Sequence, residues 1–200
     1  MPIVSRSEAV TEVGTKAGKE VGLGCSNSQL KVYIANRPPL EFYQHLDSVH
    51  GMQAGEIKFI ADKTGNHWRK IFNVYAKFIA ELWPEKLNDY ARWQDLRDNF
   101  LLRENSHTSL IFSNLLLDKI SSKPQNTLHL ICGRQYGIQL AKQAGITLTW
   151  LLREDDVGNG EFAWSQQHNV MICPYFDYRQ LSNVKIKRLV ELIKYQLTSE

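Results

Sequence analysis

Apolar and polar residues alternate from Gln29 to Ala35, where Leu30, Val32 and Ile34 stand against Lys31 and Tyr33. A period of two puts successive side chains on opposite faces and predicts a β-strand. Asn36-Arg37-Pro38-Pro39 ends it, because two prolines remove backbone donors and Pro38 holds Arg37 extended. A short helix over Leu40 to Ser48 is expected next. From Trp68 the period changes: Trp68, Ile71, Phe72, Tyr75, Phe78, Ile79 and Leu82 recur every three or four residues, leaving Arg69, Lys70 and Lys77 on the other side. That stripe predicts an amphipathic helix. Pro84 closes it and opens another helix running to Asn99.

The C-terminal third repeats strand, turn and helix. Thr127 to Cys132 predicts a strand entering Gly133-Arg134-Gln135-Tyr136-Gly137, and a helix over Tyr136 to Ala144 stops at Gly145. Thr147 to Leu152 predicts a third strand, Asp155 to Gly160 a turn, and Asn169 to Cys173 a buried strand followed by the loop Pro174 to Asn183. The last helix, Asn183 to Leu197, buries Ile186, Leu189, Val190, Ile193 and Leu197. Ser106 to Ser121 fits a helix or a strand with flanks; its length favours a helix capped by Ser106 and ended before Pro124. Ser5 to Ser28 is rich in Gly, Ser, Thr, Lys and Glu, so residues 1–28 read as a weakly packed arm and 29–200 as one domain. The expected fold is α/β: three layers, α/β/α, around a short, mostly parallel central sheet with its binding crevice at the strand C-termini.

Two hundred residues, 43% of them hydrophobic, suit one domain with a substantial core. A net charge of +3 is compatible with nucleic acid without demanding it. Cys25, Cys132 and Cys173 are odd in number and form no CxxC, which favours a reducing cytoplasm over a disulfide framework. No leader or membrane-spanning stretch stands out, so a soluble cytoplasmic protein is expected. Gly14 to Lys19 is no phosphate loop, being one residue short between its glycines with Glu20 where Ser or Thr belongs. His129 and Cys132 fall on opposite faces of a strand, and the other histidines are scattered, so no metal and no cofactor is expected.

Three loops at strand ends carry the candidate chemistry. Asn36 and Arg37 sit on the rigid Pro-Pro turn, where plain strand termination is the simpler explanation. Gly133 allows close backbone approach and the helix that follows offers N–H groups to an anion, against the simpler reading of a tight turn. The third loop, Cys173 to Asn183, offers Tyr175, Phe176 and Tyr178 for stacking and Asp177, Arg179 and Asn183 for directional contacts with a planar or phosphorylated ligand. An equal alternative has the aromatics cover the core edge while Ser182 or Asn183 caps the last helix. Cys173 is either a nucleophile or a small apolar residue completing a strand.

Asn36-Arg37-Pro38, Cys132-Gly133-Arg134-Gln135-Tyr136 and Cys173-Pro174-Tyr175 followed by Leu181-Ser182-Asn183 resemble, in order, the motif loops of the uracil-DNA glycosylase superfamily. The resemblance implies an α/β scaffold binding DNA or a nucleotide, with Asn36 and Cys173 at the catalytic positions. It further implies Arg37, Arg134 and Arg179 on phosphate and Tyr175 or Phe176 stacked on a base. The first loop lacks the family's aspartate, and Cys173 stands where the family has a histidine that donates to the base. Whether the chain is an enzyme therefore stays open. The alternative is a protein-interaction module that presents the aromatic helices, Trp68 to Trp83 and Tyr90 to Trp93, to a partner. A hydrolase using Cys173 as nucleophile ranks below both.

Overall fold

The computed structural model describes residues 18–116, 127–152, 160–165 and 167–198. In chain order the elements are β1 (Gly22–Gly24), β2 (Leu30–Tyr33), α1 (Glu41–Gln44), β3 (Val49–His50), α2 (Glu56–Thr64) and α3 (Asn66–Leu82). They continue as α4 (Pro84–Leu87), α5 (Trp93–Asn99), β4 (Thr108–Ile111), β5 (Leu128–Cys132), α6 (Arg134–Gln143), β6 (Thr149–Trp150), β7 (Ala163–Ser165), β8 (Val170–Cys173) and α7 (Asn183–Thr198). The strands form one sheet in the order β3-β1-β4-β2-β5-β8-β7-β6. Its centre, β4-β2-β5-β8, is wholly parallel, and antiparallel pairs occur only towards the edges.

Opposite crossover directions explain the layers. From β2 the chain passes through α1 to α5 and returns on one side as β4; from β5 it passes through α6 and returns on the other side as β8. Right-handed crossovers running in opposite directions put their helices on opposite faces. One face packs Leu30, Val32, Leu130 and Met171 against α2, α3, α5 and α7. The other packs Tyr33, Ile131 and Ile172 against Leu140 and Ala141 of α6. The three-layer α/β expectation is met.

α3 forms as its periodicity predicts, with Trp68, Ile71, Phe72, Tyr75, Phe78 and Ile79 buried, and the Tyr75 hydroxyl donates to the Ser109 carbonyl at 2.9 Å. Of the aromatic residues named for the interaction-module alternative, Trp68, Tyr75 and Phe78 are core residues.

Several local expectations change. Ser106 to Ser121 contains the strand β4 rather than a helix, and the segment from 117 onwards lies outside the described residues. Leu110 joins one core and Ile111 the other, and a strand buried on both faces shows the continuous apolar run that made its sequence ambiguous. Ser106 Oγ bonds Thr108 and the Arg103 carbonyl instead of capping a helix. The helix expected over 84–99 is two, α4 and α5, because Arg92 is extended (φ −159°) and starts α5 afresh. The strand expected over 147–152 shrinks to the two residues of β6, and most of the 155–160 turn lies outside the described residues. The supposed arm ends early, since β1 lies inside residues 1–28 with Leu23 fully buried. Gly22 and Gly24 permit close contact: a Cβ on either would stand 2.3 Å from a carbonyl oxygen of β4.

α6 sits equally close to β8. A Cβ on Gly137 would meet Ile172 Cδ1 at 2.6 Å, so Gly137→Val is expected to cost about 1–3 kcal/mol by overpacking. An unchanged denaturation midpoint would show that the α6 face yields freely.

Candidate functional site

β2 and β5 are neighbours whose crossovers leave in opposite directions. In an open α/β sheet that reversal leaves a crevice beyond the strand C-termini. Here it receives the loop after β2, the Gly133 turn after β5 and, from the next strand, the start of the loop after β8. The N-terminal turn of α3 supplies the outer wall.

An open cleft of 570 Å³ occupies this edge, lined by Ala35, Asn36, Arg37, Pro39, Gln44, Thr64, His67 and Trp68. Pro38 is buried and its carbonyl accepts from the Gln44 amide at 2.8 Å, which fixes the loop and turns Asn36 outward. Tyr175 stacks on His67 with ring centroids 5.8 Å apart and planes 22° apart, and its hydroxyl lies 3.1 Å from His67 Nε2. Burial pushes the Tyr175 phenol up to about 12, and a hydrogen bond from Asn36 works against that rise. At neutral pH the phenol is therefore a donor. A Cβ on Gly133 would stand 3.6 Å from the Tyr175 ring, and the residue has φ +99°, a conformation that a side chain would strain.

The cleft thus joins an exposed amide, a phenol kept protonated and an imidazole. Among the described residues its lining contains no carboxylate. Such a set orients a planar ligand with its own donors and acceptors by stacking and hydrogen bonds.

The structure separates the other candidates from this group. The Arg37 guanidinium, although on the cleft wall, donates to the carbonyls of Gln44 and Leu46 at 2.8 and 3.1 Å and lies 5.8 Å from the Phe112 ring centre. It clamps α1. Arg134 turns towards the β6 and β7 edge, stacking 3.8 Å over Trp150 and bonding the Gly160 carbonyl. Arg179 stands beside Tyr178, 5.9 Å from its ring centre. The three arginines expected to surround one crevice occupy three different neighbourhoods.

Asp177 accepts the Arg179 amide at 2.9 Å and the Lys70 ammonium at 2.9 Å. These bonds hold its carboxyl below the usual range, the Arg179 amide contributing most. Asp177 shapes the loop. Asn183 opens α7 and its Oδ1 accepts from Lys77 at 3.2 Å, while Ser182 supplies the cap, its carbonyl accepting the Ile186 amide at 2.8 Å.

Cys173 is the sharpest correction. It is fully buried and pairs in register with Cys132, sulfur to sulfur at 3.9 Å, so the expected nucleophile has no route to substrate and serves as a small core residue. The aromatic loop divides its roles: Phe176 is fully buried, Tyr178 is 53% exposed, and Tyr175 lies between them at the cleft.

His67 was missed by reading the sequence, where it was one scattered histidine. The available signal was its place just after Gly65 at the start of the strongest helix. His129 and Cys132 point into opposite cores, and no group of three metal-ligating residues occurs among the described residues.

Among the described residues no helix is long and apolar enough to cross a membrane. No curated protein and no solved structure matches the chain. Residues 21–194, which span the whole sheet, the cleft and nearly all of α7, match a family of unknown function, DUF6942, and the protein belongs to that family.

Proposed function

We propose that the cleft binds a nucleobase or nucleotide, free or within DNA, on a scaffold of the uracil-DNA glycosylase type. The observation that carries this reading is the meeting of Asn36, His67 and Tyr175 at the point where the sheet reverses its order. Tyr175 and His67 supply the stacking surface and the Asn36 amide reads the base edge, an amide being both donor and acceptor. Asn36 is also the residue placed to hold a water against the ligand. With no carboxylate among the described lining residues and Cys173 sealed, recognition is the primary activity and base excision the secondary one. A reducing cytoplasm suits three cysteines that are all free and buried.

The test is a fluorescence-anisotropy titration of single- and double-stranded DNA, with and without uracil, at two salt concentrations. Alkali treatment afterwards exposes abasic sites. A parallel titration uses uridine monophosphate. Binding is expected to weaken about tenfold in Asn36→Ala, the loss of one good polar contact, while the denaturation midpoint is retained. Wild-type protein that ignores both mononucleotide and DNA at low salt would end the proposal.

A further inference from the structure

We infer that a basic, aromatic-lined groove along the outer side of α3 binds single-stranded nucleic acid, as a surface separate from the cleft. Two hollows form it. One, of 320 Å³, is lined by Asn66, Arg69, Lys70, Lys77, Trp93 and Tyr178 among others; the next, of 450 Å³, includes Lys77, Glu81, Arg92, Trp93, Asn183 and Lys187. They adjoin at Lys77 and Trp93, which line both. Asn66 lies in the first hollow and His67 in the cleft, so the track begins where the cleft ends.

Charge along the track is one-sided. Arg69, Lys70, Lys77, Arg92 and Lys187 face a single carboxylate, Glu81, among its lining residues, in a chain whose net charge is only +3. Three of these five cations are also paired with carboxylates outside the lining: Asp177 bonds Lys70 at 2.9 Å, Asp95 bonds Arg92 at 3.3 Å, and Asp62 lies 3.8 Å from Arg69. Lys77 bonds the neutral amide of Asn183.

The aromatic groups alternate with these charges. Lys70 sits 4.9 Å over the Tyr178 ring and Lys77 5.2 Å over Trp93. Flat faces interleaved with cations match a strand that presents bases and phosphates in turn, and stacking of this kind tolerates any base sequence. An acidic peptide matches the charge but has no regular series of planar groups.

The groove uses none of the cleft residues, so the two proposals fail independently. A fluorescein-labelled oligothymidine of about 15 nucleotides is titrated over a range of salt, with a duplex, inorganic polyphosphate and polyglutamate as comparisons. Tyr178→Ala is expected to weaken oligothymidine binding about tenfold and leave polyphosphate binding unchanged. Lys77→Gln with Lys187→Gln is expected to weaken both and to lower the slope of log affinity against log salt by about 1.4. The proposal is overturned if oligothymidine fails to bind at low salt or if all the groove variants bind as wild type. It is also overturned if polyphosphate or polyglutamate binds as tightly as oligothymidine, which would mark a site for polyanions or acidic peptides instead.

Discussion

Phe176→Ala is expected to lower the free energy of unfolding by about 3–5 kcal/mol, the largest effect of any single change in the loop after β8. The ring is fully buried and packs against Tyr75 and Phe78 of α3 at centroid distances of 5.5 and 6.3 Å. Removing it leaves a cavity at the seam between that loop and the central helix. The same loop carries Tyr175, so ligand binding in the cleft should decline with stability. Tyr178→Ala, two residues on and exposed, should change stability by no more than about 0.5 kcal/mol. Urea denaturation of the two variants checks the contrast, and similar midpoints for both would refute the assignment of Phe176 as the anchor.

Acid should destabilise the protein through His129. This residue lies on β5 beneath α6, with Nδ1 2.9 Å from the Tyr33 hydroxyl. Burial, assisted by the nearby Lys31 charge, lowers its pKa from 6.5 to about 3. Lys31 itself is paired with Glu20 at 2.6 Å in the same buried layer. Between those two pH values the unfolded chain binds a proton at this imidazole and the folded chain does not. Stability therefore falls as pH drops through 6.5 and stops falling from this source near 3, at a rate on the order of 1 kcal/mol per pH unit. His129→Gln keeps a polar partner for Tyr33 and removes the titration. The difference in stability between wild type and variant, followed from pH 7 to 4, isolates this residue from the acidic groups that titrate alongside it. A difference that stays constant with pH would mean that His129 is not held neutral by the fold.

The candidate site was legible in part. Asn36, Gly133 and Tyr175 were identified because each follows a recognisable strand, and residues at such positions in a parallel sheet are brought to one edge by the connectivity. Arg37 and Arg134 also follow strands, yet their guanidinium groups point to the carbonyls of Gln44 and Gly160. A long side chain with several donors goes where acceptors lie, and these acceptors are set by how neighbouring segments fold against the loop. Cys173 and Phe176 were ambiguous because a thiol or a ring at a strand end serves a site or a core equally well until burial is known.

By itself the sequence determined the elements with a clear local signal: α3 and α7 through their 3.6-residue stripes, α6 through its Gly145 stop, β2 through its two-residue alternation, and β5 and β8 through short apolar runs closed by Gly or Pro. Three-layer α/β architecture follows from their alternation. Only the tertiary structure decided that Gly22–Gly24, Thr108–Ile111 and Ala163–Ser165 are strands, since three or four residues carry too little pattern and become strands by pairing with distant partners. It also decided that His67 joins Tyr175, 108 positions away, and that Lys70, Lys77 and Trp93 share a groove with Tyr178. Contacts of that range depend on which faces of the packed helices remain uncovered, a property of the assembled layers that no short window of sequence contains.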